Sequence, residues 1–144
     1  MSITVSLPPF GAPAYALTRL LPAGDGAFEG AVTATTAALA AEGFGVLTRI
    51  DVAATMQQKL GETLRPYVIL GACNPRLALS ALQADPGVGA LLPCNVVVAE
   101  GAEGVSVSAI DPVAMFGVLD RADVLPLAQE VRARLERVLA ALAV

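Results

Sequence analysis

The chain has 144 residues, of which 56% are hydrophobic and only 15% are charged, and its net charge is −4. This length fits one domain with its own core, and the shortage of charge predicts an exposed apolar surface that meets a partner, most simply a second copy. The chain has no histidine, which excludes Ser-His-Asp and Cys-His catalysis and histidine metal sites, and its scattered arginines form no basic stripe for nucleic acid.

The first part of the chain predicts a lead-in followed by a strand and a helix. Residues 1–13 hold three prolines and a glycine, which predicts a loosely ordered lead-in with room for a short edge strand. The first strand is predicted over residues 14–21. A single domain is predicted over residues 14–144. Asp25 then caps a helix over residues 26–42, in which apolar side chains recur at helical spacing.

A second strand and a short helix follow directly. Gly43 ends the first helix, because glycine adopts the left-handed conformation that closes many helices. Residues 44–50 predict the second strand. Asp51 caps a helix over residues 52–60, and Gly61 ends it.

The strongest strand signal lies in the middle of the chain. Residues 66–72 form an apolar, β-branched run, which indicates a buried central strand. Asn74 and Pro75 then start a helix that runs to about residue 84, since asparagine caps and proline is tolerated at the first helical position.

The last part of the chain predicts a hairpin and two helices. A strand is predicted over residues 90–100 and contains Pro93. Proline has no N–H to donate to a neighbouring strand, so Pro93 marks either a bulge or a position whose N–H side faces the edge of the sheet. The strand over residues 105–110 returns after the EGAEG loop. Asp111 starts a short helix, and residues 124–143 form a long helix whose apolar stripe is our first choice for a dimer interface, although the same stripe could seal the sheet.

The resulting order is β-α-β-α-β-α-β-β-α-α. It predicts an α+β fold of two layers, with a mixed-direction sheet of about five strands and helices packed mainly on one face. A doubly wound sheet is disfavoured because the last two strands form a hairpin and no glycine-rich phosphate loop follows the first strand.

Four segments together resemble a known family. These are GFGVLTRID, RPYVILGACNP, GALLPCNVVV and AIDP, within residues 43–116. They are similar to the bacterial family named domain of unknown function number 302. The resemblance implies a small α/β domain that is often dimeric, and it implies no particular reaction, substrate or cofactor. The proline-rich residues 1–13 depart from the compact start of that family.

The two cysteines are the main candidates for chemistry. Cys73 lies where a strand ends and a helix begins, and the positive end of a helix lowers the pKa of a thiol. Cys94 follows Pro93 in a strand that we expect to be bulged, and bulges often redirect side chains near sites. A short strand-helix-strand unit would make the two strands neighbours, and if they are neighbours the two sulfurs could approach each other.

Three functional interpretations of this pair compete with a structural one. The thiols could form a redox pair, or two subunits could hold a metal with four thiolates. Alternatively, the thiols could line a pocket in which helix N–H groups bind a small anion, with Arg65 or Arg49 nearby. Against all three, cysteine is among the most buried residue types and often acts as a small hydrophobe.

Other polar residues join the candidate site with structural alternatives of their own. The candidate catalytic residues are Cys73, Cys94 and Asp111, where Asp111 is either a helix cap or a general base. The candidate ligand-binding residues are Cys73, Asn74, Cys94, Asn95, Arg65 and Tyr67. For Asn74 the role of a helix cap is favoured over ligand binding, and for Tyr67 the role of a core residue with a tethered hydroxyl is favoured over catalysis.

The favoured hypothesis is a dimeric small-ligand or anion-binding module with a pocket near the cysteines. The alternatives are a thiol-dependent redox protein or enzyme, and a metal site shared across a dimer; no pattern identifies a cofactor. Two cysteines make no disulfide scaffold, and the N-terminus lacks the features of a signal peptide. We therefore expect a reduced, cytoplasmic protein with no nucleic-acid or membrane partner.

Overall fold

A computed structural model describes residues 4–142 of the chain. Residues 1–3 of the predicted lead-in lie outside the described residues, as do residues 143 and 144 at the end of the predicted final helix and domain. Within the described range, the α+β fold and the order of its main elements are confirmed. The elements are β1 (Thr4–Val5), β2 (Ala16–Leu21), α1 (Ala27–Ala41), β3 (Gly45–Asp51), α2 (Val52–Leu60), β4 (Thr63–Leu64), β5 (Tyr67–Cys73), α3 (Pro75–Ala84), β6 (Cys94–Gly101), β7 (Gly104–Ile110), α4 (Pro112–Phe116) and α5 (Leu125–Ala140).

Five of the strands form one sheet in the order β2-β7-β6-β5-β3. Each neighbouring pair in this sheet is antiparallel, so the sheet of five strands is antiparallel throughout and not of mixed direction as predicted. The other two strands, β1 and β4, form a separate parallel pair of two residues each. β5, the apolar run predicted to be central, lies between β6 and the edge strand β3, and β6 occupies the middle of the sheet.

The core lies between this sheet and the two long helices. Alternate residues of a strand face the same side of a sheet. On the side that faces α1 and α5, here called the helix side, Leu70, Val96 and Val107 are almost completely buried. The apolar stripe of α5 packs into the same core, where Leu135 and Val138 are buried. The predicted stripe therefore seals the sheet, and the expectation that it forms a dimer interface loses its basis.

Two local predictions around Pro93 are wrong. The strand expected over residues 90–100 begins at Cys94, because residues 86–91 form a 3-10 helix that Asp85 starts by accepting the N–H of Gly87 at 2.9 Å. β6 pairs without interruption with both of its neighbours, so Cys94 does not lie in a bulge. The irregularity of the sheet lies in the edge strand β3, between residues 46 and 48.

The two long helices α1 and α5 pack on the helix side, and the opposite face of the sheet is here called the open face. It presents hydroxyl and apolar side chains from the strands, among them Thr18, Leu20, Ile69, Val97 and Ser106. The N-terminal segment of residues 4–11, here called the strap, lies beside one end of this face. Its strand β1 pairs with β4. No helix within residues 4–142 is both long and apolar enough to cross a membrane.

Candidate functional site

The two cysteines lie at the same end of the sheet. Cys73 ends β5 and Cys94 begins β6, and Cys94 is opposite Ala72 in the antiparallel pairing of these strands. Both thiols are free; Cys73 is half-buried and Cys94 is buried. The predicted closeness of the two strands is correct, since β5 and β6 are direct neighbours.

The space beside the cysteines is small and apolar. A cavity of about 30 Å³ lies there, and Phe44, Leu92, Phe116 and Val131 are among its lining residues together with both cysteines. Such a volume holds a water molecule or two. An organic ligand does not fit in it.

Burial makes the thiol of Cys94 less reactive, because it raises the pKa of the group. Removal from water disfavours the charged thiolate, and the neighbouring Cys73 adds to the effect, so the pKa of Cys94 rises to about 11. At neutral pH this sulfur is a protonated thiol, which is a weak nucleophile and a weak metal ligand. Within residues 4–142, no three cysteine or acidic side chains cluster in a way that could hold a metal ion.

Asn74 has a clear structural task at this end of the sheet. Its side-chain oxygen accepts the N–H of Leu77 at 3.3 Å, which caps α3 as predicted. Its amide nitrogen donates to the carbonyl oxygen of Glu42 at 3.5 Å, and Arg134 donates to the same oxygen at 3.0 Å. The residue therefore ties the start of α3 to the end of α1 and, through that carbonyl, to α5.

The remaining polar candidates at this end do not converge on the cysteines. Asp111 caps α4 by accepting the N–H of Val113 at 2.9 Å, and its carboxylate lies 3.7 Å from Arg132. Asn95 is exposed opposite Gly71 on the open face. Neither residue lines the small cavity.

Arg49 is placed on the helix side of the edge strand. Its guanidinium lies 3.7 Å from the carboxylate of Glu29 in α1, and both side chains are largely exposed. Arg49 does not line the cavity beside the cysteines. Arg49 is therefore not part of the predicted anion site beside the cysteines.

Arg65 and Tyr67 lie at the other end of β5, where a much larger space is found. A groove of about 460 Å³ runs between the strap and the open face. The strap provides one wall, the ends of β2, β6 and β7 provide the floor, and Arg65 and Tyr67 stand at one side. The six predicted ligand-binding residues therefore divide into two groups at opposite ends of the sheet.

Aromatic contact joins the two walls of the groove. The rings of Phe10 and Tyr67 have centroids 6.2 Å apart and an interplanar angle of 49°. Burial raises the pKa of the Tyr67 phenol, and the phenol of Tyr15 raises it further. Tyr67 is therefore a neutral hydrogen-bonding group beside an apolar surface, as a binding groove requires.

The floor of the groove offers hydroxyl groups and the rim offers charges. Thr18 shares a hydrogen bond of 2.9 Å with Ser108, and Ser106 lies beside it on the open face. Within residues 4–142, Arg65 has no carboxylate within ion-pair distance. Glu100 and Glu103 line the same groove from the β6–β7 hairpin.

Sequence reasoning found only Arg65 and Tyr67 of this groove and missed the others, among them Phe10, Thr18 and Ser106. The prolines and glycine of residues 1–13 predict a loosely ordered lead-in, and this prediction gives Phe10 no contact partner. The alternation of serine side chains with buried apolar ones along β7 was the available signal. Nothing in the local pattern, however, joins this strand to the strap.

Comparisons with known proteins agree with the resemblance seen in the sequence. The family model described as "Domain of unknown function DUF302" matches residues 23–142. The crystal structure of an uncharacterized conserved protein DUF302 from Bacillus stearothermophilus is similar, with a TM-score of 0.81 and 27% sequence identity over 90% of this chain and 98% of that chain. No protein with a curated description matches. The chain therefore belongs to the DUF302 family.

Proposed function

We propose that this protein is a small-ligand-binding module whose site is the groove between the strap and the open face. The observation that carries the proposal is the groove itself, with a volume of about 460 Å³ between two walls of the same chain. Ligand pockets commonly measure about 300–1,000 Å³ and combine an apolar lining with a few polar groups. The groove has both features.

The lining favours an amphipathic organic molecule. Leu7, Phe10 and Leu20 offer apolar surface along the groove. The hydroxyl of Ser106 can orient a polar group at the floor, and Arg65 can meet a charge at the rim. An apolar body with one polar or charged end fits this arrangement.

The cysteine end supports binding less well than the groove does. Its cavity of about 30 Å³ is too small for an organic ligand. The raised pKa of Cys94, about 11, also weakens the thiol-dependent and four-thiolate alternatives, because both need a thiolate. The hypothesis of a binding module is therefore kept, and its site moves to the groove.

We propose in addition that two copies associate through the part of the open face that the strap leaves uncovered. Ile50, Ile69 and Val97 lie there, and Ile50 is 49% exposed at the edge strand β3. The overall excess of hydrophobic over charged residues, 56% against 15%, supports a partner for such a surface. A second copy is the simplest partner.

The amphipathic dye 8-anilinonaphthalene-1-sulfonate tests the groove as a binding site. We expect saturable fluorescence enhancement with one dye per chain in the folded protein. Ser106→Phe places a ring on the floor of the groove and should abolish that signal. Asn95→Phe is the matched control, because it places the same ring on the same face at the cysteine end.

Two outcomes would contradict the groove assignment. One is saturable binding that survives Ser106→Phe unchanged, which would place the dye outside the groove. The other is the absence of any saturable binding in the folded wild type. Circular dichroism of each variant separates loss of binding from loss of fold.

A further inference from the structure

The strap is one complete wall of the groove, so the position of the strap decides whether the groove exists. Residues 5–11 all line the groove, and the facing wall is the sheet with Arg65 and Tyr67. If the strap moved away, Leu20 and Ser106 would lie on an open surface. A ligand held in the groove therefore contacts both the strap and the sheet.

Few interactions hold the strap in place. Its pairing with β4 covers two residue pairs, Thr4 with Thr63 and Val5 with Leu64. The contact between Phe10 and Tyr67 is its aromatic anchor. Among the described residues, no side-chain hydrogen bond or ion pair joins residues 4–11 to the rest of the chain. Segments with so few buried contacts open at low free-energy cost.

The strap is stiff at its two adjacent prolines and has a turning point at its end. Pro8 and Pro9 fix their backbone φ angles and donate no N–H group, so this part of the strap moves as a unit. Gly11 follows with a φ of +65°, a conformation that glycine adopts without strain. The chain then enters β2 at Ala16, which is fixed in the sheet.

We propose that the strap is a gate for the groove: it detaches from β4 and Tyr67 to admit a ligand and closes over the ligand afterwards. This inference rests on the proposed binding function. The groove has to be occupied for the gate to matter, but the opening of the strap can be measured without any ligand. The two proposals can therefore fail separately.

A tryptophan at position 10 reports on the strap. The chain has no tryptophan, so all indole fluorescence of Phe10→Trp comes from position 10, which contacts Tyr67 when the strap is closed. Thr4→Pro and Thr63→Pro, each made in this background, weaken the β1–β4 pair from its two strands. In a parallel pair of strands, only one of two opposed residues donates its backbone N–H to the other strand. Thr4 and Thr63 are such opposed residues. Because proline has no N–H, one of the two substitutions removes a backbone hydrogen bond between β1 and β4. Thr4→Ala is the control that keeps the donor.

The first measurement needs no ligand. We expect acrylamide to quench the indole weakly in Phe10→Trp and in the Thr4→Ala control, and several-fold more strongly in at least one of the proline variants. Equal quenching in all four proteins would overturn the gate, whether the strap is held permanently closed or is already detached.

The second measurement follows binding of 8-anilinonaphthalene-1-sulfonate by stopped flow, through energy transfer from the indole. A gate predicts that the observed rate reaches a plateau at high dye concentration, and that the effective proline variant raises this plateau several-fold. A rate that rises linearly with dye in every variant would overturn the gate while leaving the groove as a site. If no dye binds, the proposed function fails, and the quenching result alone decides whether the strap opens.

Discussion

The ring centroids of Phe10 and Tyr67 lie 6.2 Å apart, and this contact is the aromatic anchor of the N-terminal strap on the sheet. Tyr67 begins β5, whereas Cys73 ends the same strand. The strand therefore has an aromatic contact beside the large groove at one end and a thiol beside a small apolar cavity at the other. The two ends of this strand therefore differ: one borders the groove that we propose as a binding site, and the other borders closely packed side chains.

The aromatic pair should contribute measurably to stability. Aromatic pairs of this geometry contribute about 0.5–1.5 kcal/mol beyond the burial of their surface. We expect a double-mutant cycle with Phe10→Leu and Tyr67→Leu to give a coupling free energy in that range, measured by urea unfolding. A coupling energy near zero would mean that the strap does not rest on Tyr67 in solution.

Stability should fall at alkaline pH because of Cys94. Its folded-state pKa is raised from 9.0 to about 11, so the folded state favours the protonated thiol. This contribution is complete below pH 9.0 and is lost as pH rises through about 11, with a loss of about 2 kcal/mol at the upper end. Urea unfolding from neutral to alkaline pH measures it.

The control for this pH effect is Cys94→Ala, which lacks the titrating group. Both proteins should carry Tyr67→Phe, because burial raises the pKa of that phenol as well and its titration overlaps. The stability of the alanine variant should decline less over the same pH range. An identical decline in the two proteins would contradict the raised pKa.

The two thiols should react at different rates. Cys73 is half-buried whereas Cys94 is buried, and the raised pKa of Cys94 leaves almost no thiolate at neutral pH. We expect iodoacetamide to label Cys73 first and to label Cys94 only after denaturation, as read by mass spectrometry of peptides. Equal labelling of the two sites in the folded protein would contradict the buried placement of Cys94.

Asn74 should contribute through two separable interactions. Asn74→Ala removes both the cap on Leu77 and the hydrogen bond to Glu42, and loss of such a cap costs about 0.5–2 kcal/mol. Asn74→Ser keeps a capping oxygen and loses only the amide donor, so it should recover most of that loss in urea unfolding. If serine were as destabilising as alanine, the contact with Glu42 would be the dominant interaction.

Self-association should depend on the uncovered part of the open face. We expect light scattering to give twice the chain mass of 14.6 kDa for the wild type. Ile50→Lys should shift the protein to the monomer mass, because a lysine cannot be buried in an apolar interface without a partner. Leu79→Lys, at a residue of α3 that is 57% exposed, is the control and should leave the mass unchanged.

Local signals in the sequence predicted most of the fold. The apolar run before Cys73 gave a buried strand, Asn74 and Pro75 gave the start of α3, and Gly61 gave the end of α2. These features depend on residues close together in the chain, because caps and alternation are local. The boundary near Pro93 failed because Asp85 starts a 3-10 helix, which competes locally with the strand.

The candidate site was predicted less well, for a physical reason. Cys73 and Cys94 were correctly expected on neighbouring strands, but packing of aliphatic and aromatic side chains fills the space beside them. How much space remains depends on distant residues such as Phe44 and Phe116. No short pattern around the cysteines encodes those contacts.

The sequence by itself determined most of the strands and helices, because propensity, capping and alternation act over a few residues. Only the tertiary structure decided where the chain leaves room for a ligand. The groove arises where residues 5–11 cross strands that lie far from them along the chain. Such a contact is fixed by the packing of the whole domain, so the residues on its two sides carry no common signal in the sequence.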